Sequence, residues 1–120
     1  MPNNRFYDRI KDTTTTTGTG PFTVSGTPPT GFLTFSSRFS VGDTFYCVIE
    51  GGAEWQTGYA TYSASNQITF DKVEASSNSD SAVTFSAGTK NVFVDMIADR
   101  VNETPTLGRT AAQILKLGTI

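Results

Sequence analysis

The chain has 120 residues, enough for one domain with a single buried core that needs neither disulfide nor metal. Only 17% of its residues are charged and the net charge is −2, so no basic surface exists to neutralise a phosphate backbone, and nucleic acid is excluded as an expected partner. The sequence contains no histidine, which removes the serine and cysteine triads, the usual zinc sites and the commonest general base together.

No apolar run approaches the ~18 residues needed to cross a bilayer, and no charged start leads into an apolar secretory segment. The expectation is a soluble chain with no membrane partner, made where it is used. Met1 to Asn4 are polar. Residues 5–12 then mix charge with Phe6, Tyr7 and Ile10, and read as an N-terminal arm, residues 1–12, leading into a first strand. The five threonines at 13–17 favour extended backbone because their branched side chains are stiff at the first torsion. Gly18-Thr19-Gly20-Pro21 reads as a turn, with Phe22-Thr23-Val24 as the hairpin partner of the threonine run.

Residues 25–31, with Pro28-Pro29 at their centre, form a surface connection because proline cannot donate to a ladder. Phe32, Leu33 and Phe35 give a short strand or an anchoring loop, and Phe39 and Val41 follow. The clearest signal is the stretch 43–63. Two runs rich in aromatic and β-branched residues flank Gly51-Gly52, a pair suited to the positive φ of a two-residue hairpin loop. In the first run Phe45, Cys47 and Ile49 point one way and Tyr46 and Val48 the other, so the strand is central. In the second, Trp55, Thr57, Tyr59 and Thr61 share a face opposite Glu54, Gln56 and Gly58, leaving one face wet.

Ser63-Ala64-Ser65-Asn66 is a turn. Residues 67–73 form a strand whose apolar side changes parity at Val73, which predicts a bulge near Asp71. Residues 76–81 are a polar loop; its oxygens invite a calcium reading, but the spacing and glycine of a Ca²⁺ loop are missing. Residues 82–85 and 91–97 read as a last pair of strands. About seven or eight short strands at roughly ten-residue spacing predict an all-β antiparallel barrel or sandwich over residues 13–101. Beyond Asn102 and Pro105, Leu107, Ala111, Ile114 and Leu115 fall on one face of a short helix, about 108–117, in a C-terminal arm, residues 102–120.

Candidate chemistry is thin, and no cofactor or metal is expected. Cys47 sits in the most buried-looking run and reads as a small apolar side chain, with no histidine to activate it. Glu50 and Glu54 bracket the glycine turn beside Trp55, but at a sheet's tip no cleft desolvates either acid, which speaks against a glycosidase. Trp55, Tyr59 and Tyr62 form a candidate glycan platform. The period-two placement of Trp55 and Tyr59 is also how a core is built, and core is the favoured reading. The residues alone give a non-enzymatic all-β domain with apolar ends.

Four stretches carry a resemblance: Asp8-Arg9-Ile10-Lys11-Asp12 through the threonines to Gly20; Glu54-Trp55-Gln56-Thr57-Gly58 with Thr61-Tyr62; Ala75-Ser76-Ser77-Asn78-Ser79; and Phe85-Ser86-Ala87-Gly88-Thr89-Lys90-Asn91-Val92-Phe93. In this order they resemble a small domain recurrent in tailed-bacteriophage virion proteins, both free-standing and at the start of longer tail or fibre proteins. The resemblance implies a structural part of the particle, located in the virion, assembled in the host cytoplasm with other virion proteins, and forming a homo-oligomer or symmetric array. The chain ends soon after the domain without a fibre shaft, which favours a connector, fibre-anchoring or surface-decoration role. Phe6, Tyr7, Leu107, Ile114, Leu115 and Leu117 are the expected subunit-interface residues. A capsid decoration protein and a module that binds host-surface glycan are the alternatives.

Overall fold

The hairpin over 43–63 forms as the alternation predicts, and the other strands are laid against it in a computed structural model that describes residues 5–95. Its six strands are β1 (Lys11–Thr14), β2 (Phe22–Thr23), β3 (Thr44–Gly51), β4 (Glu54–Ala64), β5 (Gln67–Ser76) and β6 (Lys90–Val94). All strand pairings are antiparallel in the order β1-β6-β3-β4-β5-β2. The sheet curls until its two outer strands meet at a Thr14–Val24 bridge, so the fold is an all-β, nearly closed barrel.

β3 is central and apolar on both faces. Phe45, Cys47 and Ile49 enter the main core, while Tyr46 and Val48 nucleate a second cluster on the outer face with Tyr59 and Phe93. The core is aromatic. Phe39 lies 4.6 Å from Phe45 and Phe22 lies 5.7 Å from Phe85, centroid to centroid. Phe35 anchors the 25–43 connection through a single 3-10 turn, Phe35–Ser37, capped by the Thr34 hydroxyl. Such rings fill the barrel because β4 offers small residues to them: Ala60 faces Phe45 and Gly58 faces Cys47.

The predicted bulge is present. Tyr59 pairs with Lys72 and Ala60 with Phe70, so Asp71 is the extra residue on β5; a second register shift leaves out Glu74. Bulges of this kind increase local twist and help a small sheet close.

Several sequence expectations are corrected. Six strands form among the described residues, fewer than the expected seven or eight. Residues 82–85 are no strand: Val83 N–H donates to the side chain of Gln56 and Phe85 bridges Gly18, so this segment crosses the barrel end and drops Val83 and Phe85 into the core. β6 therefore pairs with β1 and β3. The hairpin loop is Gly52-Ala53 instead of Gly51-Gly52, because Gly51 still pairs with Glu54. A Cβ on Gly51 would sit 2.5 Å from Lys90 Cγ, so the glycine makes room for that side chain.

The threonine run is only half strand. Thr13 and Thr14 belong to β1, whose ladder partner is β6, and β2 pairs chiefly with β5. The run meets 22–25 by stitching. Thr14 Oγ1 donates to Thr23 O at 2.6 Å, Thr23 N–H donates to Thr16 Oγ1, and Ser25 N–H donates to Thr13 O. Hydroxyls thus close a seam where a continuous ladder does not form.

The N-terminal arm is largely part of the domain. Arg5 N–H donates to Thr44 O, Tyr7 packs edge-on against Phe39 at 5.0 Å, and Ile10 is in the core. The domain therefore reaches back well before residue 13. The ends of the expected arms, residues 1–4 and 96–120 with the predicted helix, lie outside the described residues.

Candidate functional site

Alternation on β3 and β4 decides which side chains reach the outer face. Glu50 pairs with Trp55, Val48 with Thr57 and Tyr46 with Tyr59, so these six share the outside. Gln56, Gly58, Ala60 and Tyr62 face inward and are buried. This inverts the expectation for Trp55: it is a surface residue, 39% exposed, and Gln56 takes the core position. Burying an amide is tolerated here because Gln56 Oε1 accepts the Val83 N–H at 2.9 Å.

The candidate glycan platform loses a member for the same reason. Tyr62 is in the core, its hydroxyl accepting the Asn66 N–H, on the opposite face from Trp55 and Tyr59. Tyr59 itself packs on Tyr46 at 5.2 Å and bonds Thr44 Oγ1 through its hydroxyl. Trp55 is the platform residue with an open ring.

The two carboxylates flanking the turn also part company. Glu50 points outward, whereas Glu54 turns to the 86–89 loop, where Ser86 donates to it from both backbone N–H and hydroxyl, each at 2.9 Å. They share no substrate space. The Ser86 backbone bond, then its hydroxyl bond, and more weakly the Lys90 charge hold the Glu54 carboxyl below the ordinary carboxylate range. A depressed folded-state pKa stabilises the fold above the unfolded value of about 4.3, and that contribution is lost as pH falls through the lower folded value. The melting temperature of Glu54→Gln should therefore lie below that of the parent at pH 7, with the gap closing on acidification below about pH 4. A gap constant with pH would mean the carboxylate charge plays no part.

Cys47 is fully buried, and burial pushes its thiol far up, so it serves as packing. In the 76–81 loop, Asp80 Oδ1 accepts the Ser76 N–H and Ser81 N–H donates to Asn78 O, so its oxygens are engaged within the turn. No cluster of metal-ligating side chains exists among the described residues.

Parts of the four stretches that carry the resemblance are joined by hydrogen bonds. Glu54 binds Ser86, Trp55 exchanges backbone and hydroxyl bonds with Ser77, Gly18 and Phe85 exchange backbone bonds at 2.9 and 3.0 Å, and Lys90 Nζ donates to Thr16 O at 2.8 Å. They are one polar lock around the segment that plugs the core.

An open groove of about 310 Å³ lies beside this face, lined by Arg9, Lys11, Phe32, Glu50 and Phe93 above Ile10 and Val94. The Arg9 guanidinium stacks 4.0 Å from the Phe32 ring centre while Nε and Nη2 donate to Gly31 O. Lys11 Nζ stands 5.0 Å from Phe32 and 6.0 Å from Phe93. The sequence reading missed this groove. Its members are scattered over the chain, and the signal, Arg9 and Lys11 alternating into a strand, has meaning only once β1 is known to place Lys11 against Phe93.

Comparison with known proteins finds no matching family model, no matching curated protein and no matching solved structure.

Proposed function

We propose that this protein is a non-enzymatic structural component of a tailed-phage virion, a connector or fibre-anchoring part that joins neighbouring subunits through its ends. The observation that carries the reading is the chain of hydrogen bonds that links Ser77 to Trp55, Glu54 to Ser86, Phe85 to Gly18 and Lys90 to Thr16, so that part of each stretch takes part. The stretches resembling the phage domain form one device, so the resemblance rests on a single folded unit. A barrel locked at its plugged end and stitched along its seam suits a rigid body repeated in a symmetric assembly.

Tyr7 is occupied within its own domain. Phe6, although 39% exposed, also stacks on Tyr46 at 5.8 Å, so attachment falls chiefly to Leu107, Ile114, Leu115 and Leu117 in the C-terminal segment. At about 25 cal/mol per Å², roughly 400 Å² of buried tail supplies about 10 kcal/mol before ordering costs. Symmetric repetition multiplies such contacts.

Purified particles of the parent phage are expected to contain the chain at fixed stoichiometry, at low copy for a tail or fibre-anchoring part. High copy on the head, read by gel densitometry, would instead favour capsid decoration. Absence from complete, infectious particles overturns the virion reading altogether.

A further inference from the structure

The groove beside the outer face carries more charge than its surroundings account for. Arg9 and Lys11 converge on one ring, Phe32, and neither forms an ion pair; the one salt bridge among the described residues joins Lys72 to Glu74. Within the described residues Lys11 Nζ has no hydrogen-bond acceptor, and Arg9 uses only Nε and Nη2, both on Gly31 O. Glu50 is the one carboxylate lining the groove and pairs with neither cation, so Arg9 and Lys11 leave the groove net positive, and a bound anion would turn their mutual repulsion into affinity.

Arg9 is also held at φ 63, in the left-handed region that a side chain with a Cβ rarely adopts. The other non-glycine residues at positive φ are Asn66, Ser79 and Asp80; like Arg9 they lie in turns, but their short polar side chains are at home there and arginine's is not. In this turn the Arg9 carbonyl accepts the Leu33 N–H and its guanidinium is held by the Gly31 carbonyl and the Phe32 ring. The result is a preorganised donor fork, which loses little freedom when an anion arrives.

We propose that this groove binds an acidic saccharide, one hexuronate-type unit lying in it with its carboxylate on Arg9 and Lys11. Three observations favour a sugar acid over a phosphate or an acidic peptide. Glu50, without a partner among the described residues, lines the same groove, where it accepts ring hydroxyls and repels a dianion. Phe93 offers an apolar wall to the flat face of a pyranose. Glu50 pairs across the hairpin with Trp55, a residue 39% exposed on the same face, so a chain leaving the groove meets a stacking surface for the next unit. A peptide strand finds no ladder beside the groove, because Arg9 O and Lys11 N–H are already bonded to Leu33. The inference stands independently of the virion reading.

The full-length chain should be titrated with trigalacturonate, with the neutral trisaccharide maltotriose and with a short polyglutamate peptide, by calorimetry and amide chemical-shift perturbation. Trigalacturonate is expected to bind with shifts at Lys11, Glu50 and Phe93, and maltotriose to bind at least about tenfold more weakly, the usual worth of hydrogen bonds to a charged partner. Arg9→Gly relieves the backbone while removing the fork, so it should fold and melt near the parent temperature yet lose about tenfold in affinity. Lys11→Gln, which leaves the backbone untouched, should show the same loss should Arg9→Gly fold poorly. No binding of trigalacturonate, equal binding of maltotriose, tighter binding of the peptide, or undiminished affinity in Lys11→Gln each overturns the proposal.

Discussion

Replacing Gly58 with alanine should lower the unfolding free energy by about 3 kcal/mol or more, at the top of the range for overpacking, although it adds a single methyl group. The reason is contact and not backbone freedom, since Gly58 is absent from the positive-φ residues. A Cβ there would lie 2.0 Å from the Lys72 carbonyl oxygen and 3.0 Å from Val73 Cα. Both are backbone atoms of β5, pinned between the extra residues Asp71 and Glu74, so relief requires moving a bulged strand that also carries β2. Gly52→Ala is the control. It has positive φ (61°) but open space around its Cβ position, and should cost about 1 kcal/mol from the left-handed conformation alone. Urea melts of the two variants give the comparison, and a Gly52 variant weaker than the Gly58 variant would contradict it.

Removing the Asp12 carboxylate should be about as damaging, roughly 3 to 5 kcal/mol for Asp12→Ala, because buried donors are left without an acceptor. Asp12 is fully buried at the seam, accepting the Thr13 N–H at 2.7 Å, the Ser25 hydroxyl at 2.5 Å and the Gly26 N–H at 2.8 Å. Asparagine does not rescue it. Its amide turns one acceptor into a donor, which then faces either Gly26 N–H or the Thr13 and Ser25 donors. Ser25→Ala, which deletes one donor and leaves the carboxylate two others, should cost only about 1 kcal/mol. Near-parental stability of Asp12→Asn would mean that the seam is not held by this carboxylate. Amide hydrogen exchange localises the effect: protection should fall first where β1 meets residues 22–25, before the β3–β4 hairpin opens.

The parts of the fold legible in the sequence are those in which neighbours along the chain decide the outcome. Alternation in β3 announced both clusters, and the parity change at Val73 announced the bulge at Asp71. The illegible parts depend on residues far apart. Val83 and Phe85 alternate as in a strand, yet the donor of Val83 goes to Gln56, 27 positions away, so a period-two pattern came to mark a plug. On β4 the larger apolar residues Trp55 and Tyr59 pointed to a core, but the barrel already holds the rings of β3 and of residues 22–45 and needs glycine and alanine opposite them. Space, not hydrophobicity, chose the inner face. The threonine run predicts a ladder with residues 22–24, but its ladder is with β6, and toward Thr23 the hydroxyls of Thr14 and Thr16 do the joining. The expected platform broke up because Tyr62 has the other parity, and the groove was missed because Arg9, Phe32, Glu50 and Phe93 become neighbours only through the β1–β6–β3 pairing.

The central claim is that a self-sufficient barrel is joined to its neighbours by sequence outside it, and a chain stopped after Val101 tests it most directly. That protein should melt within a few degrees of the full-length chain and keep its β-sheet circular dichroism, yet be missing from particles assembled in its presence when the full-length chain is withheld. Truncated protein recovered in particles at the parental copy number would contradict the account.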